Sequence, residues 1–449
     1  MIWLLLIWVA LLAALIVGAI GKYAQGGALT LSYFLGLSLI HLPGALTYID
    51  PLSSVPGRDA SIVGFKMTLL GMAAFVASAM LVRFYSPRPP PTNPEAVMVH
   101  SKAFAGLGGR AFVLGITSYF VLMPLARFIP SATSLVVGLA TLLIIGLWLR
   151  LYSAHLAHDS ARMATTLGVL PLLPIATLAG GGFLGFGVYW VLSVVSFLFV
   201  VARRRIWFFL LAPLVVVFGL SLFATYMGER TGIRDVVWRQ QATLEERLDR
   251  IGNMVTEFRI IDLNDPRHLK ALNDRLNQNY FVGAGVQRHA TGSVDFTYGG
   301  TVSPLALIPR VIWPDKPVVG GSGDLVSRFT GIPTAYGTSF GVGAVLEFYM
   351  NFGVPGVLIG FAGLAALLMW LDNQIALALA TGDVRKLLYS AMPGLILLQP
   401  GGSFLEIMVG FVAAAIAARL IIALPVLGII PARSRGDAGA LASSAPDAA

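Results

Sequence analysis

The residues with most chemical promise lie between Pro304 and Gly356, where the chain reads PLALIPRVIWPDKPVVGGSGDLVSRFTGIPTAYGTSFGVGAVLEFYMNFGVPG. A polar loop with Arg310, Lys316 and Arg328 runs there into an apolar segment that holds one carboxyl, Glu347. Pro309, Pro314 and Pro317 frame Arg310, Trp313 and Lys316. Proline fixes φ, so these cations leave a stiff backbone, and a pre-organised cation loses less entropy on meeting an anion. Glu347 suits a general base or a positioning carboxyl, because an ionisable group inside an apolar run is costly and marks a functional position. Trp313 offers a face for a sugar or for the headgroup belt. Arg230 and Arg234 stand one turn apart past another apolar run, placed for a guanidinium to grip a diphosphate at a lipid surface.

Such residues need a scaffold, and composition says which kind. Over 449 residues, 57% are hydrophobic and 12% charged, too little charge to coat a soluble globule of this size. The formal charge of +9 would suit a nucleic-acid partner, but the basic residues alternate with apolar runs and read as topology signals, so nucleic acid is set aside. The absence of cysteine excludes disulfides and thiolate metal sites.

Apolar runs long enough to cross a bilayer fall near 2–20, 28–47, 62–82, 111–129, 132–149, 164–180, 183–202, 206–226, 343–371, 386–399 and 403–424. The expected fold is therefore an all-α polytopic membrane protein with about 11 transmembrane helices. Its parts are a bundle over 1–226, an outer loop domain over 227–340, further transmembrane helices over 341–424 and a disordered tail over 425–449. Placing the N-terminus outside and the C-terminus inside puts fourteen Lys and Arg in inner loops, against Arg58 and Arg127 in the opposite short loops. The first run lacks a cationic leader and reads as a retained span.

Within the outer loop, Leu244, Leu248, Ile251, Val255, Phe258 and Ile261 recur at helical spacing and predict an amphipathic helix. Asn264 or Asp265 before Pro266 opens a second helix through Leu269, Leu272 and Leu276. From Gly283 to Gly341, eleven glycines predict loop without long regular elements. Residues 87–94, PRPPPTNP, read as an extended linker. Glu406 is a second acid near a span end and His289 a fallback base, whereas His155, His158 and Asp159 read as an interfacial helix face. No acidic pair is spaced for a divalent ion, so the expected mechanism needs no metal.

The motifs IPRVIWPDKP at 308–317, Arg275-Leu276-Asn277, Tyr298-Gly299-Gly300, Thr338-Ser339 and LEFYMNFGVPGV at 346–357 resemble, in that chain neighbourhood of roughly 270–360, the bacterial oligosaccharide repeat-unit polymerases of the Wzy type. The resemblance implies a glycosyltransferase of the C type without a nucleotide-sugar domain, working in the bacterial inner membrane. Its substrate would be an undecaprenyl-diphosphate-linked oligosaccharide, joined at the periplasmic face into O-antigen or exopolysaccharide. It implies no cofactor, and a chain-length regulator and a flippase as partners. By motif match it points to Arg310 and Arg275, and it does not identify the base. An O-antigen ligase, passing glycan to lipid A core, is the nearest alternative; a transporter is disfavoured because the span centres carry few ionisable groups.

Overall fold

A computed structural model describes residues 1–20, 28–49, 55–87, 94–126, 128–181, 184–202, 205–238, 244–262, 264–302, 313, 322–333, 341–424 and 427. The N-terminal helices are α1 (Ile2–Ile20), α2 (Ala28–Leu46), α3 (Arg58–Tyr85) and α4 (Pro94–Thr117), followed by a π-helical turn (Ser118–Leu122) and α5 (Met123–Ala126). Next come α6 (Pro130–Ala140), α7 (Leu142–Leu156), α8 (Ser160–Leu167), α9 (Leu172–Gly181), α10 (Leu184–Val201) and α11 (Ile206–Trp238). The stretch between α11 and the last three helices supplies α12 (Leu244–Thr256), α13 (Pro266–Arg275), α14 (Gln278–Ala290) and α15 (Ser322–Thr330). The chain closes with α16 (Ala344–Thr381), α17 (Val384–Ile396) and α18 (Phe404–Ala423). Among the described residues no strand occurs.

Ten of these helical stretches are long and apolar enough to cross a membrane, which makes this an α-helical polytopic membrane protein. The tenth of the eleven expected spans, at 386–399, is instead α17, whose 13 residues give about 20 Å of helix. Its extension is stopped by Gln399-Pro400-Gly401-Gly402: the residue before proline is pushed out of the α region, and two glycines follow. Leu397 to Ser403 is accordingly non-helical.

α16 departs from a straight span in another way. Phe352 (φ −143°) and Gly353 (φ 64°, ψ −151°) are non-helical inside it. In a continuous helix Phe348 and Phe361 would be separated by about 20 Å along the axis. Their ring centroids lie 5.8 Å apart, and a methyl group on Gly356 would overlap the Phe348 carbonyl. The first eight residues of α16, Ala344 to Asn351, therefore fold back on the long remainder.

Helices α12 to α14 pack onto the bundle. α12 forms as expected over the core of the predicted segment, and its Met254 is buried with Leu178, Ala179, Leu184 and Tyr226. α13 opens at Asp265, whose carboxylate accepts the Arg267 N–H, with Pro266 in the first turn. α14 corrects the glycine-based expectation of loop: a helix runs through Gly283 and Gly285 and lies against α3. A side chain at Gly64 would overlap the Asn279 carbonyl and one at Gly283 the Ala60 carbonyl, so these glycines permit close approach, as small residues do between membrane helices.

Candidate functional site

The fold-back of α16 positions Glu347, which is 0% exposed. The first N–H groups of a helix lack partners within it, and at α18 the Ser403 side chain makes no capping bond. Glu347 does this work instead: Oε2 accepts the Phe404 N–H at 2.6 Å and Oε1 accepts the Ser403 hydroxyl at 3.3 Å. A carboxyl is favourable there because of the partial positive charge at a helix N-terminus. The Thr301 hydroxyl also interacts with it. Phe348 and Phe404, at 5.2 Å between ring centroids, close one side.

One turn on, Asn351 is fully buried and ties a loop to the fold-back. Its Oδ1 accepts from the Thr297 hydroxyl at 2.8 Å and the Gly299 N–H at 3.1 Å, and its amide donates to the Thr301 hydroxyl at 2.6 Å and the Glu347 carbonyl at 2.7 Å. Held this way, Tyr298 adopts φ 46°, sparsely populated for a bulky residue, and stays 77% exposed. Beside it Phe296 stacks on His289 at 3.7 Å. The His289 Nδ1–H donates to the Val294 carbonyl at 3.0 Å, which leaves Nε2 as the acceptor nitrogen.

Two further elements end here. Pro400 and Gly401 accept N–H bonds from Ala344 and Gly343 at 3.3 and 3.2 Å, so the non-helical segment after α17 seals the base of the fold-back. Ser322, at the start of α15, donates to exposed Glu406 in the first turn of α18 at 3.1 Å. Thr301 and Ser322 are thus both anchored beside Glu347, and the segment between them includes Arg310 and Lys316. Those two residues lie outside the described residues. Trp313 is half-buried. Arg328 is exposed on α15, its guanidinium 5.9 Å from the Phe329 ring.

The remaining expected cations belong to other elements. Arg230 is half-buried on α11, Arg234 stands on the same helix, and half-buried Arg275 ends α13. Composition alone did not bring forward Asn351, Thr301 or Ser403, although a lone Asn within an apolar run is a signal of an inward-facing polar role. It also passed over Asp372, 1% exposed on the long arm of α16. Asp372 accepts the Leu29 and Thr30 N–H groups at 2.9 Å each and the Thr30 hydroxyl at 2.7 Å, capping α2. No protein family, curated protein or solved structure matches this chain.

Proposed function

We propose that this chain polymerises undecaprenyl-diphosphate-linked oligosaccharide repeat units at the periplasmic face of the bacterial inner membrane. In this reading the N-terminus is periplasmic, the C-terminus is cytoplasmic and the scaffold is of the glycosyltransferase C type. The observation that supports it is the meeting of Tyr298-Gly299-Gly300 with the 346–357 segment through Asn351, beside a buried carboxyl. Both anchors of the segment holding Arg310 and Lys316 are tied to the same place.

The chemistry asks for little more. An acceptor sugar hydroxyl attacks the anomeric carbon of the donor glycan, its proton passes to a base for which Glu347 is the candidate, and the bond from that carbon to the diphosphate oxygen breaks. Charge grows on the departing lipid diphosphate, where Arg310, Lys316 and Arg328 stabilise it, and alignment of hydroxyl and leaving group supplies much of the rate. Arg230, Arg234, Arg275 and Trp313 serve substrate binding. No divalent ion is invoked, so a chelator leaves turnover unchanged.

The test is glycan length in cells producing Arg310→Ala or Glu347→Gln at normal protein levels. Arrest at a single repeat is expected in both; full-length polymer in both refutes the assignment. Long polymer left unattached to lipid A core in a deletion strain would instead identify a ligase.

A further inference from the structure

A second site sits away from Glu347, at the loop-region end of α11. A cleft of about 430 Å³ opens between Ala224, Thr225 and Met227 to Glu229 of α11, Glu257 and Arg259 after α12, and α13 from Arg267 to Asp274. That volume falls in the range of small-molecule sites, roughly 300–1,000 Å³. Three carboxylates, Glu229, Glu257 and Asp274, share its wall with Arg259, Arg267 and Lys270. Arg267 is held by Asp265 at 2.8 Å and Lys270 by Asp274 at 2.7 Å. The His268 Nδ1 accepts the Asp262 N–H at 3.0 Å, which makes Nε2–H a donor.

The balance of charge selects the ligand. A phosphate or uronate entering the cleft would meet three carboxylates, and a cation would meet two guanidinium groups and an ammonium. Hydroxyl groups both donate and accept, so an uncharged polyol matches alternating carboxylates and cations without leaving a charge unbalanced. Access is from the membrane surface, because the α11 shaft below is exposed and apolar at Leu210, Leu211, Leu214, Val215, Val216 and Val217.

We infer that this cleft binds the uncharged sugars of one of the two lipid-linked glycans. The inference rests on the proposed transfer reaction, which must hold donor and acceptor together. With three carboxylates set against three cations on its wall, the cleft itself has no surplus positive charge for a diphosphate and takes sugars.

The experiment uses the full-length protein in nanodiscs, passed over immobilised oligosaccharides that are uncharged, uronate-bearing or phosphate-bearing. Retention on uncharged members is expected, falling at least tenfold in Glu257→Gln with Asp274→Asn and in Arg259→Ala. These side chains are exposed, and exposed ion pairs contribute little to folding. Preference for anionic members, equal retention by the variants, or no retention on any member overturns the inference; the last is what an ordinary solvated charged surface gives. Retention is read without turnover, so failure here is separable from failure of the transfer reaction.

Discussion

Glu347 and Asp372 stand on the two arms of α16, and each seats its carboxyl on the N-terminus of another helix, yet their surroundings differ. Asp372 uses both oxygens on three short bonds, from two backbone N–H groups and one hydroxyl. Glu347 accepts one short bond, from the Phe404 N–H, a longer one from the Ser403 hydroxyl, and a further interaction with the Thr301 hydroxyl of the neighbouring loop. Around Glu347 the backbone is non-helical at 341–343, at Phe352 and Gly353 and at 397–403, and the Thr297 to Thr301 loop is pinned against it. A carboxylate offers about four acceptor positions. A buried acid is therefore a poor marker of chemistry by itself; broken helices and a polar loop beside it are what distinguish the proposed site at Glu347 from the helix cap at Asp372.

The comparison can be broken from either end. Asp372→Ala should have the largest effect, a loss of about 3–5 kcal/mol, because it strands two N–H groups and a hydroxyl in an apolar interior. Thermal unfolding in detergent reads this, and Asp372→Asn should recover part of it. Glu347→Gln keeps a carbonyl oxygen for the Phe404 N–H, so unfolding should change little while turnover drops roughly 10²–10⁴-fold, the usual contribution of a general base. If turnover follows protein level alone, Glu347 is a cap like Asp372 and the two ends are equivalent. Asn351→Ala should loosen the Thr297 to Thr301 loop at a cost of about 2–3 kcal/mol, seen as faster amide exchange there with α2 unaffected.

The smallest effect lies outside the membrane, at the start of α13. The hydrogen bonds from Arg267, side chain first and then backbone, hold the Asp265 carboxyl down from 3.8 to about 2. A depressed pKa means the cap is intact above pH 3.8 and is lost as pH falls toward 2. The protection of α13 amides relative to their intrinsic exchange rate at each pH should stay constant from pH 7 to pH 5 and fall below pH 4, and Asp265→Asn should abolish that pH dependence.

How far this could be read beforehand depended on what each residue had to meet. Apolar runs located nearly every long helix, since a span announces itself over its own length. α14 is not legible from its own residues, because glycines disfavour an isolated helix, whereas Gly283 is a contact point against Ala60 of α3 and Gly285 against Leu346 of α16, both far away in the chain. Glu347 stood out as the lone acid in an apolar run. Asp372 did not, because it sits one residue past the expected span end and its partners, Leu29 and Thr30, lie more than three hundred residues away. The bend at Phe352 and Gly353 was hidden because both residues also fit a straight apolar span.

Because the arm from Val354 to Thr381 is one uninterrupted helix, it works as a ruler with a fixed pitch. Adding one residue between Gly353 and Asp372 would rotate everything beyond it by about 100° and advance it by about 1.5 Å. Both carboxyls could not then stay on their targets, so the spacing between the two seats is itself part of what the sequence must preserve.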